Sequence, residues 1–148
     1  VFWAPGKIEP GIVNQIGSTM DLFHTFTKMA GVPLPEDRIL DSYDLSPLLF
    51  ENKNSKRNHL FYYRQNELYA LRMGDFKAHF ITNGEYGLYG GKEIHDPPLL
   101  YNLNEDPAEQ YNIAEQFPEV LTAMEKLIAV HRQKLVVGED QLKNRGNE

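Results

Sequence analysis

The sequence predicts an α+β unit, four antiparallel strands with an amphipathic helix packed on one face. Three observations predict it. Residues 59–82 fall into three runs rich in aromatic and branched side chains, divided by short turns. Residues 97–103 (Pro-Pro-Leu-Leu-Tyr-Asn-Leu) read as a fourth strand, with the prolines at its start where no ladder donor is lost. After Pro118, the residues Val120, Leu121, Met124, Leu127, Ile128, His131 and Leu135 recur at helical spacing as one apolar stripe, which Gly138 closes.

In chain order, Phe2-Trp3-Ala4 before Pro5-Gly6 reads as a short buried strand, and residues 7–11 as a turn. Ser18 is an N-cap with Asp21 as the acidic part of a capping box. Leu22, Phe23, Phe26, Met29 and Ala30 follow as a helical apolar stripe, and Gly31 and Pro33 end that helix. His24 lies off the stripe and reads as a surface or half-buried side chain. Residues 33–49 are a connector in which Ser46-Pro47 opens one short helical turn. The polar, basic run 51–58 reads as a hydrated boundary loop.

Within the meander the turns fall at Gln65-Asn66 and Gly74-Asp75. In its third run, 76–82, Phe76, Ala78 and Phe80 share one face while Lys77, His79 and Ile81 share the other. One face can be core and the other can offer a cation and an imidazole. Residues 83–96, with Gly84, Gly87, Gly90, Gly91, Tyr86 and Tyr89, read as a long flexible loop of the kind that forms lids or binding edges. No Lys-Ser/Thr follows these glycines, so they are not a phosphate-binding loop. Residues 104–109 form a turn leading into a single helical turn, and 139–148 are a polar tail.

Composition bounds the function classes. The 148 residues carry a net charge of −6 with no basic stripe, which argues against sequence-independent nucleic-acid binding. No apolar run reaches the ~20 residues of a membrane span. There is no cysteine, so disulfides and thiol chemistry are excluded from the chain. Val-Phe-Trp-Ala-Pro-Gly has neither the basic start nor the apolar stretch of a signal peptide, and reads as a strand entered from the middle of a larger fold.

No Gly-x-Ser-x-Gly and no His-Glu-x-x-His occurs, and the histidines at 24, 59, 79, 95 and 131 lack ligand spacing. Asp41 and Asp44 lack the calcium-loop pattern and read as a solvated turn. No catalytic residue and no metal ligand is assigned to this chain. Five polar groups can converge on a substrate: Tyr63, Arg64, Lys77, His79 and His95. Arginine and lysine suit sulfate, phosphate or carboxylate. The plain structural alternative is that Arg64 and Lys77 are exposed cross-strand charges and His79 a satisfied sheet histidine.

The sequence resembles the C-terminal part of the sulfatase family, on the alkaline-phosphatase-like fold, nearest the arylsulfatase A and N-acetylgalactosamine-6-sulfatase types. The resemblance rests on stretches in the family's order, including Phe2-Trp3-Ala4-Pro5-Gly6-Lys7-Ile8, Ala30-Gly31-Val32-Pro33-Leu34-Pro35, Asp44-Leu45-Ser46-Pro47-Leu48-Leu49, Lys77-Ala78-His79-Phe80, Pro98-Leu99-Leu100-Tyr101-Asn102-Leu103 and Asp106-Pro107-x-Glu109-x-x-Asn112. It implies an overall α/β fold. Residues 1–50 would be the terminal strand, helix and connector of the catalytic domain, and 51–148 the C-terminal subdomain of sheet, helix and tail.

The family's formylglycine, made from Cys/Ser-x-Pro-x-Arg, and its calcium ligands lie upstream of the matched part. This chain holds no such motif, and Ser46-Pro47 is wrongly spaced. The resemblance therefore implies a parent that hydrolyses sulfate esters of a sulfated carbohydrate or aryl sulfate, with this piece inactive alone. Its partner would be the upstream catalytic domain, and the family is typically exported. His79 and the glycine-rich loop are where the non-sulfated part of a substrate is expected. A stand-alone binding module is the other reading. If residues 1–50 belong to a larger sheet, Phe2, Trp3, Phe23 and Phe26 lack part of their burial, and the piece alone self-associates or is partly molten.

Overall fold

The computed structural model describes residues 2–84, 90–136 and 138. Tyr86, Gly87 and Tyr89 of the predicted loop, and the tail 139–148, lie outside the described residues. The chain forms two compact units: one runs up to Leu60 and takes in Arg72–Asp75, the other comprises Phe61–Leu71 and the chain from Phe76 on.

The elements are α1 (Asp21–Met29), α2 (Ser46–Glu51), β1 (His59–Arg64), β2 (Glu67–Met73), β3 (Phe76–Asn83), β4 (Lys92–Asn102) and α3 (Pro118–Lys134). The strands form one sheet in the order β1-β2-β3-β4. Both predicted turns hold, and Gln65 (φ 54°) and Gly74 (φ 58°) take the left-handed backbone that tight turns need. Leu68, Ala70, Leu71, Ala78 and Leu100 are buried in the sheet.

The fourth strand starts earlier than the sequence predicts. β4 runs from Lys92, and the prolines sit inside it, where the register with β3 slips between His79↔Leu99 and Ile81↔Ile94. The residues looped out of the ladder include both prolines, so their missing N–H groups cost no ladder bond. At the base of the β3–β4 connection the Gly84 N–H donates to the Gly91 carbonyl at 3.2 Å. A Cβ at Gly90 would stand 3.1 Å from Gly84 Cα, so the two backbones can approach there only without side chains.

β4 is an edge strand, and segment 112–114 closes part of its outer side. Leu100 pairs with Ala78 across the ladder and turns its own N–H and C=O outward. Asn112 Oδ1 accepts from the Leu100 N–H at 3.0 Å and from the Ala114 N–H at 3.1 Å. The Ile113 N–H donates to the Leu100 carbonyl at 2.8 Å.

α3 starts at Pro118 as predicted but ends at Lys134, before Leu135 and Gly138. It buries Met124 and Ile128. His131 stacks on Phe61 with ring centroids 3.8 Å apart, and Phe117 meets Phe76 at 5.6 Å. Phe61, Tyr63, Phe76 and Ala78 thus belong to the helix-covered face, and Tyr62, Arg64, Lys77 and His79 to the opposite one.

Several expectations for the first sixty residues need correction. Phe2-Trp3-Ala4 is not a strand; a turn follows it, with the Lys7 and Ile8 N–H groups both donating to the Ala4 carbonyl at 3.0 Å. A strand needs a neighbour to take its backbone groups. The helical stripe also faces the other way: Phe23, Phe26 and Met29 are more than half exposed, while Asp21 and Thr25 are fully buried.

The reason is an ion pair 36 residues apart in sequence. Arg57 Nη2 donates to Asp21 Oδ1 at 2.7 Å and Arg57 Nε to Oδ2 at 3.0 Å. The Tyr43 and Ser18 N–H groups donate to the same carboxylate at 2.9 and 2.8 Å, so Asp21 closes back on Ser18. The predicted capping box is nonetheless incomplete: Ser18 Oγ accepts from the Met20 N–H at 3.3 Å, and Met20 takes the N-cap place. The helix itself starts at Asp21 rather than after Ser18. Burial alone would raise the Asp21 pKa; Arg57 and the two N–H donors outweigh it and hold it below the usual range.

Arg57, in the run predicted to be hydrated, is therefore buried, with its guanidinium 4.6 Å from the centre of the Tyr43 ring. Asp44 is buried too, not a solvated turn. Burial would raise its pKa, but Lys28 Nζ at 2.5 Å and the Ser46 N–H at 2.8 Å hold it down at about 2. α1 ends in a Schellman closure: Gly31 (φ 68°) donates to the Lys28 carbonyl and Val32 to that of Thr27, both at 3.0 Å. His24 is half-buried and packs on Ser42, as expected of a histidine off the stripe.

Candidate functional site

Lys77 and His79 are neighbours two residues apart on one face of β3, and a carboxylate absent from the predicted set joins them. Glu109 Oε1 accepts from Lys77 Nζ at 2.5 Å, and Glu109 Oε2 from His79 Nε2 at 2.7 Å. Glu109 holds a left-handed backbone (φ 56°) at the end of a turn whose Asp106 Oδ2 accepts the Gln110 and Tyr111 N–H groups at 2.7 and 2.8 Å. The turn therefore fixes the carboxylate over the strand before any ligand arrives.

The electrostatics of this trio define its chemistry. Burial opposes the Glu109 charge, yet Lys77 and His79 prevail and its pKa lies below the usual value. Burial, seconded by the Lys77 charge, depresses His79 despite the carboxylate beside it. His79 is therefore neutral at neutral pH. Because a carboxylate only accepts, the proton sits on Nε2, and Nδ1 keeps its lone pair. Tyr101, edge-on to His79 at 5.8 Å, is raised by burial and by Glu109 and Asp106, and stays a phenol. Lys77 is matched by Glu109, so the cluster presents an acceptor suited to a hydroxyl more than a bare cation suited to sulfate.

Among the other candidates, His95 is near enough to help lower the His79 pKa. Tyr63 belongs to the α3 face, where its hydroxyl stands 3.0 Å from His131 Nε2. His95 Nε2 shares a hydrogen bond with Thr82 Oγ1 at 2.8 Å. Arg64 ends β1 on the same face as Lys77 and His79, and lines a cleft of about 300 Å³ with Gln65, Glu67, Tyr69, Asn83, Gly91 and Lys92. The structure thus brings together Lys77 and His79, aligns Arg64 with them on one face, and separates Tyr63. Sequence reasoning missed the role of Glu109, whose only signal was its place in Asp106-Pro107-x-Glu109. It also missed Tyr69, Asn83 and Lys92.

Among the described residues no group of three or more His, Cys, Asp or Glu side chains is placed to hold a metal ion. The described residues therefore do not fit a calcium site, and the sequence holds no formylglycine precursor motif. No described helix is long and apolar enough to cross a membrane.

A Bacteroides thetaiotaomicron structure, BT33336S-sulf, matches 88% of the chain at a TM-score of 0.66 and 27% identity, over 28% of its own length. The sulfatase PsFucS1 from Pseudoalteromonas matches 76% of the chain at a TM-score of 0.64 and 24% identity, a likeness of fold. The family model for the C-terminal region of aryl-sulfatase matches residues 55–148, and the chain belongs to the sulfatase family. Human arylsulfatase A is 39% identical over 145 residues, covering 85% of this chain and 28% of the relative. Pig N-acetylgalactosamine-6-sulfatase is 34% identical over 165 residues, covering 96% and 31%. The chain thus spans less than a third of the length of these two curated relatives.

Proposed function

We propose that this chain is the C-terminal part of a sulfuric ester hydrolase acting on a sulfated sugar or aryl sulfate. Residues 1–50 complete the catalytic domain and 51–148 form a subdomain at the edge of the substrate pocket. Nucleophile and calcium come from an upstream catalytic domain, which is the partner of this piece. The observation that carries the reading is Lys77–Glu109–His79. It is a preset polar cluster on the sheet face away from α3, in a chain related over most of its length to two sulfatases. His79 Nδ1 accepts a substrate hydroxyl, and Glu109 holds the ring in place for it.

The test is hydrolysis of an aryl sulfate that releases a coloured phenol. A protein joining the upstream domain to this chain is expected to turn over, and the 148-residue chain alone is not. Turnover by the chain alone would overturn the division of labour. An inactive joined protein would leave a binding module as the better account.

A further inference from the structure

The order β1-β2-β3-β4 brings the end of β1, the start of β2, the end of β3 and the start of β4 to one end of the sheet. Each contributes a polar side chain there: Arg64, Glu67, Asn83 and Lys92. Asn83 pairs with Lys92 in the ladder, and Lys92 Nζ reaches Glu67 Oε1 at 2.5 Å. Tyr69, two residues past Glu67 on the same face of β2, is half-buried in the wall. Gln65 and Gly91, both in left-handed backbone, hold the two rims.

Charges in this cleft do not balance. Glu67 answers Lys92, but among the described residues Arg64 has no carboxylate partner; its guanidinium donates to the Asn83 amide oxygen once that amide is turned. Among the described residues the cleft therefore offers one planar cation without a carboxylate, the Gln65 amide for a hydroxyl group and one aromatic ring for a sugar's C–H face. A volume of about 300 Å³ is at the small end for ligand sites, the size of a single sugar ring.

We infer that this cleft is a saccharide subsite that takes one sulfated sugar residue, with Arg64 on its sulfate and Tyr69 under its ring. The inference rests on the sugar-sulfate branch of the proposed function and adds a second place where the substrate is held.

The experiment titrates the 148-residue chain with N-acetylgalactosamine 6-sulfate, with unsulfated N-acetylgalactosamine and with inorganic sulfate, followed by amide chemical shifts. The sulfated sugar is expected to move the amides of 64–69, 83, 91 and 92. Arg64→Ala and Tyr69→Leu are each expected to weaken it about tenfold, with Arg64→Lys recovering part. Glu67→Gln, which releases Lys92, is expected to tighten it about threefold. Equal binding of inorganic sulfate would reduce the site to an anion contact and overturn the saccharide reading. Equal binding of the unsulfated sugar would overturn the role of Arg64, and no shift in the cleft would overturn the inference. Failure here alongside sugar-sulfate turnover by the joined protein would leave the proposed function standing. Binding here with no turnover by that protein would sink the enzyme and keep the subsite.

Discussion

Glu109 and His79, 30 residues apart in sequence, meet through a 2.7 Å hydrogen bond that sets the imidazole's tautomer. Four influences act on that ring: burial, Lys77 and His95 push its pKa down from 6.5, and Glu109 pushes it up. Removing the carboxylate charge with Glu109→Gln should therefore lower the His79 pKa further, and Lys77→Met should raise it. Titration of the ring by NMR reads both, and a rise in Glu109→Gln would contradict the arrangement.

The same ring makes stability depend on pH. Its folded pKa lies below the unfolded value, so the unfolded state takes up the proton first as pH falls. Stability is full above about pH 6.5 and declines as acid carries the solution through the folded pKa. Urea midpoints between pH 8 and 5 should fall in the parent chain and stay flatter in His79→Gln.

Arg57 and Asp21 are almost wholly shielded from water, with side-chain exposures of 3% and 0%. Arg57→Met leaves a buried carboxylate unpaired and should cost about 3–5 kcal/mol. Asp21→Leu with Arg57→Met removes both charges and should recover much of that loss. A double variant as unstable as the single one would show that the N–H bonds to Asp21, and not the charge, hold the pair's surroundings together.

Asp44 contributes at lower pH. Its carboxyl is held at about 2 against an ordinary 3.8, so its share of stability is present above pH 4 and disappears as the pH falls towards 2. Lys28→Met should bring that loss to higher pH. Acid unfolding followed by circular dichroism at low salt gives the comparison.

Gly74 has φ 58° and open space where a Cβ would go. Gly74→Ala therefore meets backbone strain and no clash, and should cost about 1–2 kcal/mol. Gly74→Asn should cost less, because asparagine tolerates the left-handed region.

The turns, the strand limits of β1 and β2 and the start of α3 were legible because turn and cap signals act over a few residues. So was the shared face of Lys77 and His79, which follows from a period of two. The same parity rule could have separated Tyr63 from Arg64, since adjacent strand residues cannot share a face. What escaped local reading was long-range pairing. The burial of Asp21 depends on Arg57, that of Asp44 on Lys28, and the meaning of Lys77 and His79 on Glu109. Apolar spacing in α1 pointed its stripe inward because nothing near it in sequence announces the ion pair. The early start of β4 was hidden by prolines that the looped-out residues accommodate.

Asn112 and Ile113, by occupying the outward backbone groups of Leu100, have a consequence for what a second copy of the sheet can do. A strand from another molecule that approached β4 at this point would find its template already taken, and would have to displace an asparagine amide and a backbone N–H to register there. Growth of the sheet from molecule to molecule is thus steered away from the middle of β4.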